Sequence, residues 1–393
     1  MSEADFDIDF DIETFEDEPV SSSVIPLFVQ QWWRSIDRIN LGLFLILLSI
    51  GLILSMATSP VAAARIDRDD PFFFFFRHMI FVFMGLGGAV FLSFFSPDNA
   101  RRIGLIALIG GILALVLVLT HGFTVKGATR WLRIGPLSLQ PSEFIKPAFI
   151  VFAAWMFTAT RRDPRVAGKL MVFAVYGLLL FLLVQQPDMG QSFLLTVCFA
   201  AVFFFSGLPL GWMLFFFAFT SVGGLGAYMT MPHFRDRIQR FGSSNSGDTY
   251  QTDRSLEAIS NGGLLGQGPG EGVFLHRVPD VNTDFVFAAV VEEFGFLISA
   301  VIVMTLAAFI FRAFRQALRL NDAFCQLAVA GLSTMIGMQM LINLAVNLNM
   351  APPKGMTLPF ISNGGSSILA LCFTVGLILA FTRRRPGAYA YGV

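Results

Sequence analysis

The chain has 393 residues, 55% of them apolar and only 14% charged, with a mean hydropathy of +0.69, whereas a soluble domain carries about 25% charge. An ordinary cytosolic enzyme is excluded. Lys plus Arg equal Asp plus Glu at 27 each, but nine acids (Glu3, Asp5, Asp7, Asp9, Asp11, Glu13, Glu16, Asp17 and Glu18) crowd the first eighteen residues without one base, so the remainder is net positive by nine. Cys198, Cys325 and Cys372 lie in apolar runs without disulfide or metal spacing, which argues against redox chemistry.

The acidic start alternates acid and hydrophobe over residues 5–12 and builds no core by itself. It reads as a disordered cytoplasmic tail, either without a dedicated partner or docking on a partner's sheet edge or basic groove. With the interfacial residues Trp32, Trp33, Arg34 and Arg38 it makes a first region, 1–39. A hydrocarbon core about 30 Å thick takes roughly 20 helical residues. Ten apolar runs of that order follow, at about 40–58, 77–96, 103–121, 142–160, 168–185, 190–206, 210–230, 284–311, 323–347 and 362–382. The expected fold is therefore an all-α polytopic membrane protein of about ten transmembrane helices. Its membrane domain covers 40–382, with a long extracytoplasmic loop at 231–283 between helices 7 and 8 and a basic cytoplasmic tail at 383–393. Phe72 to Phe76 read as an interfacial aromatic belt.

An even number of spans puts both termini on one side. The compact basic loops around Arg101 and Arg102, around Arg161, Arg162, Arg165 and Lys169, and around Arg312, Arg315 and Arg319 share that side with Arg383, Arg384 and Arg385, which makes it cytoplasmic. The bases left on the outer face make it attractive to an anionic ligand.

Ionisable and polar residues at span ends are costly in lipid and face a cavity or a partner. Four outer clusters stand out. In the first, Lys126 to Arg133 precede Gln140-Pro-Ser-Glu-Phe-Ile-Lys146, where Glu143 and Lys146 share a helical face and either serve a ligand or simply pair. Ser142 is placed to cap that helix and Pro147 to kink it. In the second, Gln186-Pro-Asp-Met-Gly190, Asp188 either caps the next helix or serves the site. The third is a glycine-rich stretch from Gly262 to Gly272, a weak phosphate-loop pattern without the usual Lys and strand, leading to Thr283-Asp284-Phe285. Asp284 is either a first-turn dipole carboxylate or a reacting group, and Glu292 falls about 80° around the helix and roughly 12 Å deeper. The fourth joins Asn343, Asn347 and Asn349 to Lys354-Gly355-Met-Thr-Leu-Pro-Phe360 and Ser362-Asn-Gly-Gly-Ser-Ser367, broken backbone that belongs against a cavity or inside protein. A carboxylate base beside cation sites is the minimum equipment for transfer onto a hydroxyl.

In this order and over about 40–382, the clusters resemble the SEDS family of bacterial cell-wall polymerases. Gly127-Ala-Thr-Arg-Trp131, Gln140-Pro-Ser-Glu143 with Lys146, Gln186-Pro-Asp-Met-Gly190, Tyr250-Gln251 with Ser255-Leu256, Thr283-Asp-Phe285 and Leu358-Pro-Phe-Ile-Ser362 with Gly364-Gly-Ser-Ser367 carry the resemblance. Lys354-Gly355 ahead of Thr357 is similar to the division members rather than the elongation members. The resemblance implies a peptidoglycan glycosyltransferase of the bacterial inner membrane that links lipid II disaccharides into glycan strands at the septum. It implies a class B penicillin-binding transpeptidase as partner, with other division proteins reached through the acidic tail, and no nucleic acid.

It further implies Asp284 as the catalytic base, with Arg130, Lys146 and Lys354 holding the lipid diphosphate. Glu143 and Asp188 would orient those bases or a divalent cation such as Mg or Mn, and Gln251 would bind substrate. Asn282 and Asn363 depart from the usual pattern, where His and Tyr are common. The alternatives are a lipid II flippase, whose charged groups would run through to the cytoplasmic half, an elongation polymerase, or a noncatalytic scaffold.

Overall fold

The computed structural model describes residues 24–65, 69–125, 128–135, 137–207, 210–230, 235, 247–353 and 355–385. The chain divides into two compact units, Met1–Ser35 and Ile36–Val393. In the first, helix α1 (Val24–Ser35) carries Trp32 and Trp33, whose ring centroids are 6.1 Å apart; the acidic tail lies outside the described residues.

In the second unit each of the ten apolar runs is a helix: α2 (Arg38–Arg65), α3 (Phe73–Ser93), α4 (Pro97–His121), α5 (Pro141–Arg162), α6 (Gly168–Gln185), α7 (Met189–Phe205), α8 (Leu210–Thr230), α10 (Val286–Ala317), α11 (Ala323–Asn347) and α12 (Gly365–Thr382). Among the described residues eight of these are long and apolar enough to cross a membrane, while α7 and the Gly211–Gly226 part of α8 are shorter apolar helices. Helix α9 (Gly247–Gly262) and a single 3-10 turn (Leu275–Arg277) lie between α8 and α10.

Helices α5 and α12 are buried along most of their length, whereas α4 turns Ile106, Ile109 and Leu113 outward, the pattern of a lipid-facing helix. Small residues set the closest approach. A Cβ on Gly85 of α3 would stand 2.6 Å from Cys372 Sγ of α12, and one on Gly376 would stand 3.0 Å from the Ala89 backbone. On the other side Phe149, Phe173, Tyr176, Phe199, Phe203 and Phe216 interlock α5, α6, α7 and α8. At the end of the unit bearing Asp37, Arg312 grips both of its carboxylate oxygens at 2.7 to 3.1 Å and so ties α10 to the start of α2.

The segment between α4 and α5 is not a plain loop. It forms β1 (Phe123–Val125), β2 (Ala128–Ile134) and β3 (Leu137–Leu139), an antiparallel meander in the order β1-β2-β3. Alternation along Thr129-Arg-Trp-Leu-Arg-Ile134 turns Leu132 inward, and Gly135 supplies the positive φ (61°) that a two-residue hairpin turn requires.

Candidate active site at one end of the helices

Asp284 stands one residue ahead of Phe285, the N-cap of α10. Buried Val278, Val281 and Phe285 anchor the approach, and Asp280, at φ 51°, aims its carbonyl at three successive amides: Thr283 (3.0 Å), Asp284 (3.1 Å) and Phe285 (3.4 Å). Asp tolerates that left-handed conformation better than most residues. The carbonyl of Asp284 accepts from Asn343 Nδ2 at 2.8 Å and from Asn347 Nδ2 at 3.0 Å, two amides one turn apart on α11. Asn343 also donates to the Met356 carbonyl (2.7 Å), while Asn347 Oδ1 accepts from the Ala288 amide (3.2 Å) and the Ser255 hydroxyl (3.4 Å). One pair of asparagines thus joins α9, α10, α11 and the 350–364 segment around the Asp284 turn, leaving the residue itself half-buried. Gly355 (φ 67°) lies so close that a Cβ there would be 3.8 Å from Asp284 Oδ2. Its neighbour Lys354 lies outside the described residues, as does Lys126. Gln251 sits half-buried on α9, one turn before Ser255, which donates to the Asn347 carbonyl at 2.9 Å.

The second group is built on the hairpin and the start of α7. Arg130 of β2 donates to the Pro187 carbonyl at 2.6 Å and lies 3.5 Å from Asp188 Oδ1. Asp188 caps α7 through the Gln191 amide (3.4 Å) and accepts from Gln140 Nε2 (3.2 Å), so one carboxylate both caps the helix and faces Arg130. Burial pushes its carboxyl above the usual range, against the opposing pull of Arg130. Behind it Lys146, Glu143 and Gln191 close a buried ring: Lys146 Nζ reaches Glu143 Oε2 at 2.8 Å and Gln191 Oε1 at 2.6 Å, and Gln191 Nε2 reaches Glu143 Oε1 at 2.5 Å. Each charge is neutralised and bonded, the condition under which an ion pair is tolerated in a low dielectric. Gln191 was invisible as a site residue in the sequence, where it opens an apolar run. Ser142 does not cap α5: Gln140 holds the N-cap position, the Ser142 hydroxyl has no partner among the described residues, and the helix continues through Pro147.

The amino end of α12 lies between the two groups. Ser366 Oγ accepts from the Gln140 amide (3.0 Å) and donates to the Ser138 carbonyl (3.1 Å), while Ser367 Oγ meets Thr357 Oγ1 at 2.6 Å. Gln339 of α11 in turn donates to the Thr357 carbonyl at 3.2 Å. Arg130 and Asp284 are therefore linked indirectly, from Asp188 and Gln140 to Ser366, and from Ser367 and Thr357 to Met356 and Asn343.

The glycine-rich stretch is no phosphate cradle. The Gln267 amide bonds to the Glu292 carbonyl (2.9 Å), the Gly268 amide to the Glu293 carbonyl (3.0 Å) and the Gly270 amide to Glu293 Oε1 (3.3 Å). Glu292 Oε1 takes Asn261 Nδ2 at 2.9 Å and the Phe274 amide at 2.8 Å. Gly295 (φ 80°, ψ 169°) interrupts α10 where the loop packs, and a Cβ there would strike the Leu264 carbonyl oxygen at 2.4 Å. Two buried glutamates therefore fasten the loop that precedes Asp284, a role the spacing alone did not suggest. Among the described residues no three of His, Cys, Asp and Glu converge to hold a metal, and the charges of Glu143 and Asp188 are met by Lys146 and Arg130.

Residues 38–386 match the family model of FtsW, RodA and SpoVE, described as cell cycle proteins. A probable peptidoglycan glycosyltransferase FtsW of Caulobacter vibrioides is 44% identical over 359 residues, covering 91% of this chain and 92% of the relative. One from Pasteurella multocida is 34% identical over 358 residues, covering 87% and 89%. Among solved structures, a chain of a peptidoglycan synthase complex that coordinates polymerization and crosslinking superposes with a TM-score of 0.72 at 26% identity, over 88% of this chain and 97% of that one. The rod shape determining protein RodA of Thermus thermophilus superposes with a TM-score of 0.66 at 25% identity, over 89% and 97%.

Proposed function

The chain belongs to the FtsW, RodA and SpoVE family of cell cycle proteins, and from that membership and the geometry around Asp284 we propose how this multi-pass membrane peptidoglycan glycosyltransferase works. It polymerises lipid II at the outer face of the inner membrane during septal wall synthesis, with both termini cytoplasmic. Asp284 takes the proton from the 4-hydroxyl of the acceptor's terminal GlcNAc. That oxygen bonds to the anomeric carbon of the donor MurNAc with inversion as the bond to the diphosphate breaks, and undecaprenyl diphosphate leaves with the electron pair.

The observation that carries this reading is the pairing of a half-buried carboxylate with a pinned main chain. The Asn343 and Asn347 bonds hold the Asp284 carbonyl, which fixes the turn that carries the carboxylate, as the placement of a general base requires. Arg130 and Lys354 meet the charge of the leaving diphosphate. The amino end of α12, with Gly364 and Gly365 ahead of Ser366, adds the positive end of a helix dipole between the hairpin and the turn. Lys146 and Glu143 act at one remove, holding Gln191 against the α7 end that carries Asp188. Gln251 lies on the helix that closes the same face. Identities to relatives named as peptidoglycan glycosyltransferases support the reaction class, and the peptidoglycan synthase complex supports a class B penicillin-binding transpeptidase as partner.

The test is glycan synthesis from labelled lipid II by the purified chain, with and without its transpeptidase, for the parent and for Asp284→Asn and Asp280→Asn. Asp284→Asn keeps the turn but lacks a base, and is expected to bind lipid II while losing about 100-fold to 10,000-fold in rate. Asp280→Asn is expected to be far milder. Parental polymerisation by Asp284→Asn would remove the carboxylate from the chemistry, and equal defects in both variants would assign them to loop structure.

A further inference from the structure

His78 belongs to none of the groups above. It lies fully buried on α3, its ring faces the Asn363 amide without regular hydrogen-bond geometry, and neither ring nitrogen has a partner among the described residues. One turn earlier, the Phe74 carbonyl accepts from Asn363 Nδ2 at 3.0 Å. One turn later, the ring of Phe81 packs on Gly365, where a Cβ would approach to 2.6 Å. A single face of α3 is thus pressed against residues 363–365, with its polar member aimed at Asn363. Asn363 is the bridge to the site: its backbone amide donates to the carbonyl of Asn282 at 2.8 Å, and Asn282 is two residues before Asp284. The Asn282 side chain is itself buried, with neither polar atom partnered among the described residues.

We propose that His78 is a positioning residue for glycosyl transfer, fixing the Asn363 amide and through it the Asn282–Asp284 turn; this rests on the reading of Asp284 as the base. The chemistry is specific. Asn363 spends Nδ2 on Phe74, which leaves Oδ1 as an acceptor for an imidazole N–H and so selects one orientation of the amide. An apolar residue of similar size would fill the same space without burying unpaired nitrogens, so the imidazole is not explained by packing. Without it the amide is held by the Phe74 carbonyl alone and the Asn363 to Asn282 bond loosens, which displaces a carboxylate whose rate depends on ångström-scale placement.

The experiment compares the full-length parent with His78→Leu, His78→Gln, Asn363→Ala, His78→Leu/Asn363→Ala and Asp284→Asn, together with the transpeptidase and labelled lipid II. His78→Leu is expected to keep the parental melting temperature and KM while kcat falls about tenfold or more. His78→Gln, whose amide N–H reaches Asn363, recovers most of kcat. The double variant is no slower than Asn363→Ala alone. Parental kcat in His78→Leu, equal losses in His78→Leu and His78→Gln, additive losses in the double variant, or a His78→Leu chain that does not fold would each overturn the proposal. Asp284→Asn separates the two readings: if it is inactive while His78→Leu is normal, only the positioning role fails, and if it polymerises normally, the base itself is misassigned.

Discussion

Asn343 donates from Nδ2 to the main-chain carbonyl of Asp284 over 2.8 Å, so a helix that carries no proposed reacting group decides where the carboxylate stands. The same nitrogen reaches the Met356 carbonyl at 2.7 Å, which fastens the segment running past Gly355 to the turn it faces. Replacing Asn343 by Leu removes both bonds; the Asp284 carbonyl keeps Asn347 Nδ2, while the Met356 carbonyl is left without this donor, at a cost of about 1 to 3 kcal/mol for a buried group left unsatisfied. The expected variant is folded but less stable, with glycan synthesis reduced far more than lipid II binding. Calorimetry in detergent and a binding assay check this; loss of binding with an intact rate per bound substrate would place Asn343 in substrate recognition instead.

The ring of Lys146, Glu143 and Gln191 makes a contrasting prediction, because it is buried and closed on itself. Lys146→Met strands the Glu143 carboxylate in a dry interior, which typically costs about 3 to 5 kcal/mol. Glu143→Leu added to Lys146→Met removes the stranded charge and should recover most of the melting temperature. If the pair acts at one remove, the double variant also recovers most of its polymerisation. A double variant that folds well yet no longer binds lipid II would show that Lys146 touches the diphosphate itself.

Glu292 fastens the glycine-rich loop by accepting from Asn261 and from the Phe274 amide. Glu292→Gln keeps an acceptor there, whereas Glu292→Leu leaves two donors unpaired at about 1 to 3 kcal/mol each. Hydrogen exchange is expected to quicken across residues 263–274 in the leucine variant and much less in the glutamine variant. Identical exchange in both would mean that the backbone bonds of Gln267 and Gly268 hold the loop unaided.

The proposed orientation rests on the compact basic loops rather than on any one helix. Reporters fused after Arg165 or Arg385 are expected to behave as cytoplasmic, and a reporter inserted near Ser244 as extracytoplasmic. Deleting residues 2–18 should leave polymerisation in detergent nearly unchanged, since the tail then lies across the membrane from Asp284. A cytoplasmic signal at Ser244 would take the whole proposed site off the outer face.

The helices were legible because lipid demands long apolar runs, and α5, α6, α7 and α11 begin within two residues of the expected positions. The site was legible only where chemistry is concentrated in short polar clusters, as at Asp188 and Asp284. Its supports were not. The β1-β2-β3 meander rests on strands of three and seven residues, too short for periodicity to stand out beside charged and glycine-containing turns. Gln191 follows the Gln186-to-Gly190 cluster and His78 stands beside Arg77, but no local spacing ties either to its partners, Glu143 with Lys146 or Asn363, which lie far away in the chain. The backbone bonds from Gln267 and Gly268 to the Glu292 and Glu293 carbonyls fold a loop back onto a helix that follows it, and local spacing does not encode such a return.

The two cations of the proposed leaving-group site differ in how much structure depends on them. Arg130 already has structural work, bonding to the Pro187 carbonyl and pairing with buried Asp188, so Arg130→Ala disturbs the α7 cap along with any ligand contact. Lys354 adjoins Gly355, which stands beside Asp284 Oδ2. Lys354→Ala should therefore be the cleaner probe of charge stabilisation, slowing glycan synthesis by up to about 100-fold to 1,000-fold, the range seen when one transition-state donor is lost. Lys354→Arg should restore only part of the rate, because a planar guanidinium and a compact ammonium differ in shape and hydration. For Arg130→Ala the melting temperature should fall together with activity, and for Lys354→Ala activity alone. If Lys354→Ala keeps full turnover and unchanged lipid II binding, the lysine is an interfacial anchor, and the charge of the departing diphosphate falls to Arg130 and the amino end of α12.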